Sequence, residues 1–277
     1  MSVQTAPPES TGLLTARAVS PSRRIRNHVV TAFAYTALIV AAVPLLLVIV
    51  TVVRRAAGVI SFGFLWRDLP VQARSASGGI GPAVVGTLVI TATASLMAIP
   101  LGILAAVYLS DYGGNGRLAR VIRFWSDVMA GVPSIVMGLF VFAIWVIRFK
   151  QQSGFAGALA LAFLMLPIVI RSAESMLRLV PRELREASYA LGCRKSRAIL
   201  TVVLPSAAPG IVSGSLLAIA RAAGETAPLL FTIFSNASTS FAPAQQRAWA
   251  AALTLMALVV ILSTVARIVT GRFTKKF

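Results

Sequence analysis

The sequence predicts an all-α polytopic membrane protein with six transmembrane helices and both termini cytoplasmic. Three observations carry this expectation. The 277 residues are 57% hydrophobic with a mean hydropathy of +0.85. Only 12% are charged, against about 25% in soluble chains. The basic residues that give the net charge of +18 lie mainly between and beyond long apolar runs, which argues for membrane topology rather than nucleic-acid binding.

A hydrocarbon core takes about 20 helical residues to cross. Val29–Val53, Ser75–Ser110, Val128–Ile147, Gln151–Ile170 and Ala248–Ala266 hold no Asp, Glu, Lys or Arg, and Ala198–Phe234 holds only Arg221 and Glu225. With the N-terminus inside, 18 of the 26 basic residues fall in cytoplasmic segments and seven outside, with Arg221 within a span. Arg54, Arg55, Arg67 and Arg74 of the first outer loop go against that rule.

Residues 1–27 are polar, proline-bearing and basic, and read as a disordered cytoplasmic tail ahead of one transmembrane domain over 28–277. The first run is too long for a signal-peptide core and is followed by "VRRAAG" rather than an A-x-A site, so it is expected to be retained. Cys193 is the only cysteine and His28 the only histidine, which excludes an intrachain disulfide and leaves no thiolate or imidazole cluster for a metal. No Ser/His pair points to hydrolytic chemistry and no G-x-x-x-x-G-K-[ST] loop is present, so no enzymatic activity, bound cofactor or ATP hydrolysis is expected of this chain.

The outer segment Gly58 to Arg74 carries large apolar residues at membrane level and reads either as an interfacial helix or as a docking surface. In the second run Gly81, Ala83, Gly86, Ala92, Ala94 and Gly102 let helices approach closely, so this helix is expected at the centre of the bundle. Pro82 suits its start and Pro100 predicts a kink. Gly113, Gly114 and Gly116 then break the chain before a short basic amphipathic segment, and Asp111 and Asp127 read as parts of a solvated connection.

The loop "RSAESMLRLVPRELREASYALGCRKSRAILTVVLPSAAPG", Arg171 to Gly210, is too long for a turn and too patterned for a linker. A helix is expected from Pro181 to Gly192, and a second short helix from near Arg194 towards Leu204-Pro205. Glu186-Ala187, then Gly192, then Val202-x-Leu204-Pro205 resembles the EAA loop of importer-type ATP-binding cassette permeases, with Ser188 for the second alanine and Val202 for isoleucine. The resemblance implies the MetI-like permease fold and a coupling loop, about 178–205, that docks on a cytoplasmic ATPase. Glu186, Ala187, Gly192, Leu204 and Pro205 are the positions carried over.

"GGIGPAVVGTL", "GVPSIVMGLF", "LPIVIRSAESM" and "RAAGETAPLLFT" together are similar to the PstA-type permease of phosphate importers, from about Ser61 to the end. That likeness implies a bacterial cytoplasmic-membrane transport component. Its partners would be a second, PstC-type permease, a dimeric PstB-type ATPase holding ATP and magnesium, and an extracytoplasmic PstS-type phosphate-binding protein. It also implies that Arg171 and Arg221 serve transport. The other readings are a permease for sulfate, molybdate or phosphonate, and an ATP-independent channel or carrier.

Arg221 lies 15 residues into its span counted from Ser206, about 22 Å at 1.5 Å per residue. Burial there costs at least about 2.5 kcal/mol, so the side chain should face a pathway or a partner. Arginine suits an oxyanion because its planar fork donates parallel hydrogen bonds and keeps its charge. Glu225, four residues on, is a structural neutraliser, an acceptor from a protonated phosphate oxygen, or one half of a gate. Glu174 reads as a local ion-pair partner of Arg171 and Arg178. Gly224 and Pro228 would let the helix break or bend beside the charged pair.

Overall fold

The structure is a computed structural model and describes residues 21–75, 77–225 and 227–274. Contacts divide the chain into two compact units, Met1–Thr51 and Val52–Phe277. The boundary falls inside helix α1, Pro21–Ala56. Residues 21–27 are helical, and residues 1–20 of the expected tail lie outside the described residues.

In the second unit, a 3-10 turn at Phe62–Leu65 precedes α2, Gly81–Val107, which runs on into a π turn at Tyr108–Tyr112. Then come α3, Arg117–Gly131, and α4, Ser134–Val141, which continues through a π turn at Phe142–Val146 to α5, Ile147–Phe149. Next are α6, Gly154–Leu179, α7, Arg182–Ala190, and α8, Lys195–Ala198. A π turn at Ile199–Val203 joins α8 to α9, Leu204–Gly224, followed by α10, Ala227–Ala237, and α11, Ala242–Thr274. Among the described residues, five helices are long and apolar enough to cross a membrane, six if one bent pair counts as a single span.

That bent pair corrects the third expected span. Val128–Ile147 is not one helix, because α3 and the α4–α5 helix meet at 110°. The cause is local: Pro133 has no N–H and drives Val132 out of helical geometry, to φ −76° and ψ 130°. The amphipathic α3 thus extends four residues beyond its expected end at Asp127, to Gly131. The short helix after Gly192 starts at Lys195, next to the expected Arg194, and runs through the π turn into the fifth span at Leu204.

α2 occupies the centre of the unit, and it does so with small residues. Ala83, Thr87, Thr91, Ala94, Ala98, Gly102 and Ala106 form its buried face at spacings of three and four, while Leu96, Leu101 and Leu104 are exposed. This inverts the pattern of a soluble helix, as expected where lipid solvates large aliphatic groups and close packing holds helices together. A Cβ on Gly102 would stand 2.7 Å from Val169 Cγ1 on α6. At the next turns of α6, Gly214 and Gly210 of α9 admit Ser172 and Met176 in the same way. Ala94, Ala98, Ala158, Leu161, Met165, Val169, Ala218 and Ala222 close the core where α2, α6 and α9 meet. α2 continues through Pro100 as one helix.

Candidate functional site

The loop expected to dock on an ATPase, about 178–205, forms from two backbone devices. Pro181, at φ −53° and ψ 141°, caps α7 from outside, and Gly192 ends it at φ +78°, a conformation that costs an L side chain roughly 1–2 kcal/mol. Gly192 N–H donates to Tyr189 O at 2.9 Å and Cys193 N–H to Ser188 O at 3.1 Å, closing the helix end. Glu186, Ala187 and Gly192 are exposed on the resulting knob; Pro205 is exposed and Leu204 half-buried. Ser188, where the loop pattern has alanine, is buried, and its hydroxyl donates to Leu184 O at 2.8 Å. The substitution therefore alters the buried side of the helix and leaves the exposed side unchanged.

Asp111 is buried rather than solvated, whereas Asp127 is exposed as expected, and both are paired. Asp111, in the π turn that ends α2, has a side chain only 2% exposed and pairs with Arg185 of α7. Asp127 of α3 pairs with Arg171 of α6. Glu174, 5% exposed, accepts from Arg123 Nε at 3.0 Å and from Arg178 Nη2 at 2.6 Å, with Arg171 Nη1 at 4.0 Å. Arg123 also donates to Leu109 O at 3.0 Å and Gly114 O at 3.3 Å. One buried carboxylate thus ties α3 and the end of α2 to α6, which adds a tertiary role to the local pairing expected of Glu174.

Further along the bundle, Arg221 Nε stands 3.3 Å from Glu225 Oε1, with side chains 63% and 31% exposed. The pair sits where α9 stops: Gly224 is its last residue, Glu225 N–H still donates to Arg221 O at 3.2 Å, and α10 resumes at Ala227. Pro228 packs over Gly86 of α2, where an added Cβ would stand 3.3 Å from Pro228 Cγ. Glu225 also lines a groove of about 700 Å³ together with Ser134 and Gly138 of α4 and Ser153 and Gly157 beside and within α6. Arg171 and Arg221 are not brought together. The contacts Gly210–Met176 and Gly214–Ser172 set the α6–α9 register, so Arg171 is level with about position 215, roughly 9 Å along the axis from Arg221.

Arg55, Arg74 and Arg247, all in segments expected outside, have partners other than carboxylates. Arg55 lies 5.0 Å over the Trp249 ring and Arg74 4.7 Å over Phe241. Arg247, 2% exposed, donates to Ser75 O, to Ala73 O at 2.9 Å and to Asn236 Oδ1 at 3.4 Å. The Arg74 and Arg247 contacts hold the loop around residues 73–75 against α10, α11 and the turn between them, and nothing in the local sequence signals them.

Comparison with known proteins agrees with this architecture. A family model described as binding-protein-dependent transport system inner membrane component matches residues 98–277. The phosphate transport system permease protein PstA 1 of Mycobacterium tuberculosis (strain CDC 1551 / Oshkosh) is 49% identical over 223 residues, 78% of this chain and 72% of the relative. The PstA proteins of Mycobacterium leprae (strain TN) and Yersinia pestis are 48% and 42% identical over 81% and 76% of this chain and 75% and 78% of theirs. Among solved structures, an inward-facing MetNI methionine ABC transporter matches with a TM-score of 0.56 at 20% identity, over 72% of this chain and 94% of that one. It shares the fold. With the family model covering more than half of its length, the chain belongs to the binding-protein-dependent transport system inner membrane components, in the branch of the PstA phosphate transport system permeases.

Proposed function

We propose that this chain is one of two different permease subunits of an ATP-driven phosphate importer in a bacterial cytoplasmic membrane, with both termini inside. The observation that carries the reading is Arg221: deep in an apolar helix, 63% exposed on the surface of the isolated chain, and paired only one turn away with Glu225. A cation at that depth is sustainable when it faces an aqueous pathway or a partner subunit rather than lipid. Its fork replaces part of the water shell of phosphate, and Glu225 is placed both to hold the guanidinium and to face the groove beside α4.

The exposed knob at Glu186, Ala187 and Gly192 is the contact for a separate dimeric ATPase, where ATP and magnesium are bound and hydrolysed. Closure of that ATPase moves the knob as a rigid body and converts an inward-facing pair of permeases into an outward-facing one, to which an extracytoplasmic binding protein delivers phosphate. Glu225 and the break between Gly224 and Pro228 form the movable part of the path, and Arg171 gives a second cation nearer the inner side.

Uptake of labelled phosphate by the assembled transporter in liposomes tests this reading. Import should require ATP and persist in excess sulfate or molybdate. Phosphate-insensitive import of another oxyanion contradicts the cargo, and import without ATP contradicts the coupling.

A further inference from the structure

We propose that Asp111 is a positioning residue that fixes the coupling loop to the inner end of α2, so that movement of α7 enters the bundle through α2 as well as along α9. The inference rests on the reading above that α7 is gripped by an ATPase.

A carboxylate with 2% side-chain exposure is held in place only by strong partners. Asp111 receives Arg185 Nη1, from the middle of α7 and 74 residues away in the chain. The other end of that guanidinium, Nη2, donates to Leu177 O at 2.7 Å, one of the orphan carbonyls in the last turn of α6. A single arginine therefore joins the ends of α2 and α6 to the coupling helix. The second half of the loop arrives at the same place: Lys195 Nζ, at the start of α8, donates to the Asp111 carbonyl at 2.5 Å and lies 4.5 Å over the Tyr112 ring. Both sides of Gly192 thus end on residues 111 and 112.

The neighbouring geometry makes this attachment consequential. Glu186 follows Arg185 directly and is exposed, so one turn of α7 presents a face to the ATPase and a clamp to the bundle. The route along α9 begins with the π turn Ile199–Val203, and the Asp111–Arg185 pair enters through the corresponding π turn Tyr108–Tyr112. The pair adds a second attachment, which leads into α2, the helix that packs on both α6 and α10.

The test uses the complete transporter in liposomes, with ATP hydrolysis and phosphate uptake measured on one preparation. Asp111→Asn and Arg185→Gln, singly and together, should retain basal hydrolysis while phosphate carried per ATP falls about tenfold. The double substitution leaves no unpaired charge, so complex yield should exceed that of either single variant while the ratio stays low; a merely structural role predicts that yield and ratio recover together. Should the buried variants fail to assemble, Lys195→Met is read instead, with an expected fall of roughly twofold. A wild-type ratio in the double variant, or in Lys195→Met where only that one assembles, overturns the proposal. A cargo-independent arm places spin labels at Leu104→Cys and Ala190→Cys in a Cys193→Ser background. The distance between them should stay single and narrow through the ATP cycle, and should broaden in the double variant or, where that one does not assemble, in Lys195→Met. A narrow, unchanged distance there overturns the proposal even if the cargo is another oxyanion, whereas absence of phosphate uptake by the unsubstituted transporter counts against the functional reading alone.

Discussion

Arg221 and Glu225 face each other across one helical turn, 3.3 Å apart, at the point where α9 gives way to α10. Both side chains are partly exposed, and an exposed ion pair contributes at most about 1 kcal/mol. Glu225→Gln should therefore leave assembly and thermal stability near the parent value. Phosphate uptake should fall severalfold, because Arg221 then lacks its local counter-charge and the groove loses its acid. Equal uptake by Glu225→Gln and the parent would reduce Glu225 to a dispensable neutraliser.

Glu174 should behave in the opposite way. Its side chain is 5% exposed and neutralises Arg123 and Arg178. Removing one partner of a buried pair costs about 3–5 kcal/mol, here at the lower end since both arginines reach solvent. Glu174→Ala should lower the yield and unfolding temperature of the purified complex, whereas Asp127→Asn, in a pair exposed 43% and 59%, should change stability by less than about 1 kcal/mol.

Helix contact through small residues makes a further prediction. Gly102→Ala would place a Cβ 2.7 Å from Val169 Cγ1 and should cost about 1–3 kcal/mol by overpacking, read as a lower unfolding temperature. Gly138→Ala on α4 meets nothing within 4 Å and serves as the neutral control.

Gly192→Ala should weaken ATPase co-purification, since φ +78° strains any L residue by roughly 1–2 kcal/mol and the end of α7 would shift. Undiminished co-purification would separate the glycine's geometry from docking.

Elements governed by local physics were legible in the sequence. Pro181 and Gly192 bound α7 because a fixed φ and a left-handed φ are properties of single residues, and small residues marked the buried face of α2 because lipid rewards close approach. The broken third span was not read, although Val132-Pro133 carried the signal, because a run without charges says nothing of direction. The roles of Asp111 and Asp127 were out of reach for another reason. Their partners Arg185 and Arg171 lie 74 and 44 residues away, so each looked like an isolated surface acid until the fold brought the pairs together. The buried Arg247 is the same case, its acceptors being backbone carbonyls 172 and 174 residues away.

The most direct test of the central claim is phosphate uptake by the assembled transporter carrying Arg221→Gln, which keeps bulk and polarity and removes the charge. With complex yield and basal ATP hydrolysis unchanged, uptake should fall by at least about tenfold, the scale of one charge-assisted contact of about 1.5–3 kcal/mol. Normal phosphate uptake by an intact Arg221→Gln complex would contradict the account.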